Sequence, residues 1–114
     1  MGKLIREIAQ WHKETFEGAT FNGQQEKFLA ELIEFYEEDD EEKALFELAD
    51  CFIVACGLWR FNRLEALSAF INVEKIAHLR GISRDSLVEA VNKKMEINRS
   101  RKWENNGEGS YQHK

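Results

Sequence analysis

Proline is missing from this chain of 114 residues, and glycine and cysteine are sparse, at seven and two. Hardly any run alternates apolar and polar residues over the length of a strand, so the periodicity reads as helix almost throughout. Cys51 and Cys56 stand five apart, about 140° around a helix. They neither pair locally nor form a CxxC redox or zinc motif, and they read as small core residues. An excess of positive charge is missing too: 16 Lys and Arg against 21 Asp and Glu leave a net −5, which argues against general nucleic-acid or anionic-membrane binding. The N-terminus "MGKLIREIAQWHKE" is charged throughout, unlike the apolar core of a secretory signal, and predicts a cytoplasmic protein. The most apolar segment, Ala44 to Trp59, is 16 residues long and contains two acids. That falls short of the roughly 20 apolar residues a bilayer span needs. Internal repeats, Gly-rich phosphate loops and low-complexity linkers are absent as well.

What remains is one domain with one core, 43% apolar. A first helix is expected over about residues 3–16, with Leu4, Ile5, Ile8, His12 and Phe16 on one side. Asn22 with Gln25 reads as a capping box that starts a second helix near residue 23. Its apolar stripe is Phe28, Leu29, Leu32, Ile33 and Tyr36. A third helix covers about 41–60, with Glu41 and Glu42 in its first turn where the helix dipole favours them. Residues 61–80 read as a less cleanly amphipathic helix ending at Gly81. A last helix follows Ser83 to about residue 102. The expected architecture is all-α, a four- to five-helix bundle built on an antiparallel helical hairpin. It occupies 1–103, with a polar, mobile tail over 104–114.

The third helix raises a charge problem. From Ala44 to Trp59 thirteen of sixteen residues are apolar, the others being Glu47, Asp50 and Gly57. A helix apolar on all sides is buried, and carboxylates there need a partner. On the second helix Glu31 and Glu34 point away from the stripe and, taken alone, read as solvated. In an antiparallel hairpin, however, Glu34 lies level with Glu47, and Glu31 with Asp50. With a rise of about 1.5 Å per residue the four carboxylates fall within about one turn of each other. Oxygen-only ligands suit a hard cation, Mg²⁺ or Mn²⁺. Zinc is disfavoured because His12, His78 and His113 show no ligand spacing, and His12, on an apolar stripe, reads as a hydrogen-bonded core imidazole.

The pattern Glu31-x-x-Glu34, twelve residues, then Glu47-x-x-Asp50 resembles the ExxE…ExxD signature of the MazG-like all-α nucleoside triphosphate pyrophosphohydrolases. That group also includes dimeric dUTPases and phosphoribosyl-ATP pyrophosphohydrolase. The element "KMEINRSRKW", residues 94–103, is similar to the family's Lys-x-x-x-Asn-x-x-Arg on its last helix. The resemblance covers about residues 5–103. It departs from the family at Ala30, where many members have an acid, and in the 43 residues between Asp50 and Lys94, which make room for an extra helical segment.

The resemblance implies Mg²⁺-dependent hydrolysis of a (deoxy)nucleoside triphosphate between its α and β phosphates, giving a monophosphate and pyrophosphate. Glu31, Glu34, Glu47 and Asp50 would be the catalytic metal ligands. Lys94, Asn98 and Arg101, at i, i+4 and i+7, would bind the substrate. A local balance of six basic and three acidic residues over 84–103 fits a cationic wall facing phosphates. The competing reading makes Lys94 and Arg101 structural partners of the acids. The resemblance also implies a homodimer or homotetramer. Two alternatives stand beside it: a narrower dUTP/dCTP or phosphoribosyl-ATP enzyme, and a non-catalytic helical interaction module.

Overall fold

The computed structural model describes residues 1–105 and 111–113. Five helices follow one another: α1 (Gly2–Thr15), α2 (Phe21–Glu37), α3 (Glu41–Trp59), α4 (Arg63–Leu79) and α5 (Arg84–Ser100). The fold is therefore all-α. Four of the helices begin where a short polar side chain accepts a backbone N–H that the first turn leaves unbonded. Thr20 Oγ1 takes Gly23 N at 3.1 Å, Asp40 Oδ1 takes Lys43 N at 2.9 Å, Asn62 Oδ1 takes Glu65 N at 3.1 Å, and Ser83 Oγ takes Ser86 N at 3.1 Å. The cap of α2 is thus Thr20 and not Asn22. The earlier start adds Phe21 and Asn22 to the helix, and in the turn that follows Gly23 and Gln24 are buried. At the end of α4, Gly81 has φ +71, a backbone state glycine reaches without steric cost. It lets Ile82 N return to Ala77 O at 2.9 Å, closing the helix as a Schellman turn.

The all-round apolar character of α3 makes it the centre of the bundle. It packs against α1, α2, α4 and α5, and every residue from Cys51 to Leu58 is buried. Cys51 and Cys56 are both free thiols in this core, and burial pushes both up. The segment expected over 61–80 is α4. It turns Ala66, Ala69, Phe70, Val73 and Ala77 inward and leaves Leu64, Leu67 and Ile71 exposed. Phe70 meets Phe52, their ring centroids 5.2 Å apart.

α2 departs most from its sequence pattern. Leu29, Ile33 and Tyr36, three of the five stripe residues, are 59%, 50% and 61% exposed. The face turned to α3 carries Gln24, Glu31 and Phe35 instead. The helix has apolar residues on two sides, and the side that meets α3 is the one bearing the acid. Beyond α5, Trp103–Asn105 and Tyr111–His113 pair as a short antiparallel ribbon, with Trp103 opposite His113. Strands of three residues are too short to show alternation, so the tail read as structureless in sequence. Of that expected mobile tail, residues 106–110 and 114 lie outside the described residues. Among the described residues no helix is long and apolar enough to cross a membrane.

One polar chain crosses the core. Arg60 Nη1 contacts His12 Nδ1 at 3.0 Å and donates to Phe16 O at 3.0 Å. His12 Nε2 meets Gln24 Oε1 at 3.1 Å, and Gln24 Nε2 donates to Val54 O at 3.0 Å. Burial, and secondly the Arg60 charge, hold His12 down to about 4, so its imidazole is neutral, the hydrogen-bonded core residue its stripe position suggests. Gly57 makes room for this chain. A Cβ there would overlap the Gln24 amide and lie 2.8 Å from His12 Nε2. Alanine in mid-helix ordinarily gains about 1 kcal/mol over glycine. Gly57→Ala is expected to do the opposite, lowering stability by about 1–2 kcal/mol through overpacking, measured by thermal unfolding; a raised melting temperature would show that the space is not tight.

Candidate active site

The short connection between α2 and α3 makes them the expected antiparallel hairpin, and it brings acids from both helices together. One carboxylate oxygen each from Glu31, Glu34 and Glu47 lies within 4.8 Å of the others. Glu31 Oε2 and Glu47 Oε2 are both shut off from water without a hydrogen-bond partner among the described residues. Burial first, then Asp50 and Glu34, push Glu31 up to about 8. The same causes in the same order raise Glu47. Bare carboxylate oxygens in such surroundings either take up protons or take up a cation. Three carboxylates with no imidazole or thiolate among them form a donor set that fits a hard divalent ion.

Asp50 stands differently. Its Oδ2 is 3.2 Å from Lys94 Nζ, an ion pair in which each side chain is about three-quarters buried. Lys94 also lies over the ring of Phe46, 5.8 Å from its centroid. Burial raises Asp50, and Lys94 works against that rise. The structure therefore gathers three of the four predicted acids and ties the fourth to α5 through the first of the three predicted substrate residues. The other two, Asn98 and Arg101, line a neighbouring cleft.

That cleft, about 190 Å³, runs from the acids into an apolar recess. Glu31, Asp50 and Lys27 stand at one end; Trp11, Phe16, Ile53, Val54 and Trp103 form the other, with Gln24 and His12 between the rings and α3. The three aromatic rings meet edge-on: Trp11 to Phe16 at 5.2 Å, Phe16 to Trp103 at 5.0 Å, and Trp11 to Trp103 at 6.4 Å between centroids. Trp103 is held in place by its Nε1, which donates to Asn98 O at 3.1 Å. In sequence these aromatics read more readily as core than as a ligand wall. They are both, because packing against one another leaves part of each ring facing the cleft.

Lys27 and Gln24 were not anticipated. The signal was present: Gln24, Lys27, Glu31 and Glu34 follow at i, i+3, i+7 and i+10, one face of α2. The hydrophobic stripe of that helix lies on its other side, so apolar periodicity gives no sign that Gln24 and Lys27 share the face of Glu31 and Glu34.

A family model for dATP/dGTP pyrophosphohydrolases matches residues 4–114. The chain belongs to that family. The match takes in the segment beyond residue 103 as well as the helices that carry the acids. No curated protein and no solved structure matches the chain. The family is one of hydrolases acting on phosphoric anhydride bonds, in keeping with the ExxE…ExxD resemblance.

The acids make a specific demand on stability. Because the folded state raises Glu31 above its ordinary value of 4.5 to about 8, it disfavours the ionised form. Protein stripped of cations should then lose stability as the pH rises from about 4.5 through 8, a loss absent at lower pH. In chelator, Glu31→Gln is expected to melt higher than the parent at pH 8, the difference shrinking toward pH 4.5; a constant difference across that range would place Glu31 in water.

Proposed function

We propose that this chain hydrolyses purine deoxynucleoside triphosphates to the monophosphate and pyrophosphate, with Mg²⁺, or Mn²⁺ in its place, as the required ion. The observation that carries the reading is the pair of unbonded, buried oxygens of Glu31 and Glu47, in an acid cluster that opens onto an aromatic cleft. The substrates for which the family is named, dATP and dGTP, favour purines over the dUTP, dCTP or phosphoribosyl-ATP alternatives. Activity on an anhydride also stands against a purely structural interaction module.

Glu31, Glu34 and Glu47 would hold the ion, with Asp50 available beside them. When bound, the ion neutralises charge on the phosphate oxygens and lowers the pKa of coordinated water. The rest falls to the chain's own residues. The base lies against Trp11, Phe16 and Trp103, because a flat apolar heterocycle gains most from ring contacts. A cleft of 190 Å³ is smaller than the ~300 Å³ at which ligand pockets usually begin, so the phosphates extend from its acidic end toward Glu34 and Glu47. There Lys27, Lys94 and Arg101 supply cationic donors and Asn98 an amide. Lys94 is poised between two partners. In exchanging Asp50 for a phosphate oxygen it would free that carboxylate while keeping its own charge satisfied. Water oxygen then bonds to phosphorus and gives its proton to the freed Asp50 carboxylate, the bridging α–β P–O bond breaks, and pyrophosphate leaves with the bonding electrons. The cationic residues stabilise the charge that develops on it.

Pyrophosphate release from dATP or dGTP with Mg²⁺ is the direct test. Glu47→Gln and Asp50→Asn are expected to reduce turnover by at least about a hundredfold with helical content unchanged by circular dichroism. Wild-type turnover in both variants would sink the reading.

The working unit is proposed to be a homodimer or homotetramer in the cytoplasm. Leu29, Ile33 and Tyr36 on α2, and Leu64, Leu67 and Ile71 on α4, are large apolar side chains left in water by one chain. Phe70 on the same helix is buried, so the test falls on exposed Ile71. Light scattering should give at least twice the 13.4 kDa of one chain, and Ile71→Asp should shift it toward the monomer. A fully active monomer would rule the assembly out.

A further inference from the structure

Three cationic side chains stand near the acids, and they differ in what they already hold. Lys94 is ion-paired with Asp50 at 3.2 Å and is not among the residues that line the cleft. Arg101 lines it from the residue that follows the last turn of α5, where it is exposed. Lys27 lines it from within α2 and is partly buried. Among the described residues its ammonium has no hydrogen-bonded or ion-paired partner.

The position of Lys27 along the cleft follows from the helix that carries it. Gln24, Lys27 and Glu31 stand at i, i+3 and i+7, so they succeed one another on one face of α2. Lys27 is about 4.5 Å beyond Gln24 and about 6 Å short of Glu31 along the axis. Gln24 borders the aromatic recess, and Glu31 belongs to the acid cluster. Burial dominates the shifts of His12, Glu31 and Asp50, but the Lys27 charge acts on all three, one in the recess and two among the acids. The ammonium therefore sits between the two ends.

We infer that Lys27 holds the α-phosphate, the phosphoryl group that is attacked and that stays with the nucleoside. The inference rests on the reading that the recess takes the base and the acids take the ion. Outward from the recess a nucleotide presents its base, then its sugar, which spans about one helical turn, and then the α-phosphate. The β and γ phosphates follow beyond it. The first phosphate arrives level with Lys27, before Glu31 is reached. An ammonium is a compact charge with rotatable donors on a flexible stem, so it reaches a non-bridging oxygen without needing a fixed orientation. There it offsets charge on the group that water attacks. Lys94, outside the cleft, is left to the phosphates that extend past it.

The test separates the two halves of the substrate by binding, with dissociation constants for dAMP, pyrophosphate and deoxyadenosine measured by calorimetry in excess Mg²⁺. Lys27→Met keeps the stem and removes the charge. It is expected to weaken dAMP binding by at least about tenfold, the effect of one charge-assisted hydrogen bond, and to leave pyrophosphate within about twofold of the parent. Deoxyadenosine, with base and sugar but no phosphate, should bind parent and variant alike. Unchanged dAMP affinity, or equal proportional losses for dAMP and pyrophosphate, overturns the assignment while leaving the pyrophosphohydrolase reading intact. A matching loss for deoxyadenosine also overturns it, because it places Lys27 against the base or the sugar. Absence of pyrophosphate release from every triphosphate overturns both.

Discussion

Carboxylate oxygens held out of water without a hydrogen bond are the constraint around which this bundle is arranged. Two charges 4.8 Å apart repel by about 3 kcal/mol at an effective dielectric near 20, and desolvation adds to that on each group. Apolar packing has to hold the hairpin closed against this, and the residues for it lie between the acids. Phe35 and Leu48 are completely buried on the two facing helices, and Ala49 lets them approach closely. Lys94 adds a tie from α5 by pairing with Asp50. A cation among Glu31, Glu34 and Glu47 would turn the repulsion into cohesion, so binding and folding draw on the same contacts.

The helices themselves were legible in sequence because each depends on local rules. Ser83 caps the last helix, Glu41 and Glu42 sit in the first turn of the third, Gly81 ends the fourth, and the run Cys51 to Leu58, with its lack of any polar side, identified the central helix. The convergence of Glu31, Glu34 and Glu47 was also legible, because an antiparallel hairpin fixes which residues stand level. The illegible parts concern choices between faces. On α2 both Leu29, Ile33, Tyr36 and Gln24, Glu31, Phe35 are consistent helical stripes, and hydrophobicity alone favours the first. The structure turns the second toward α3, where Gln24 bonds His12 and Val54 O, and leaves Leu29, Ile33 and Tyr36 on the outside of the single chain. The ion pair between Asp50 and Lys94 was open in sequence for a related reason: the spacing of Lys94, Asn98 and Arg101 tells which helix face they share, not which acid lies opposite it.

The two ends of the cleft differ in how firmly they are built. The aromatic end is bounded by rings from the end of α1 and from Trp103 beyond α5, and by a hydrogen-bonded chain that begins at Arg60, so its shape is over-determined. At the acidic end, Lys27 and Lys94 are long side chains around carboxylates that burial and neighbouring acids push up. A rigid apolar wall and a cluster of strained charge are thus separated along one cleft, with Glu31 lining it and belonging also to the acid cluster.

The placement of the indoles gives this protein a built-in optical reporter. Of its three tryptophans, Trp11 and Trp103 face the cleft, while Trp59 lies elsewhere, at the end of α3 under the Arg63 guanidinium. Whatever enters the recess exchanges solvent for ring contact at two of the three emitters, and the third provides a steady background. Intrinsic emission therefore follows occupancy of the aromatic recess through two of the three indoles, without a label.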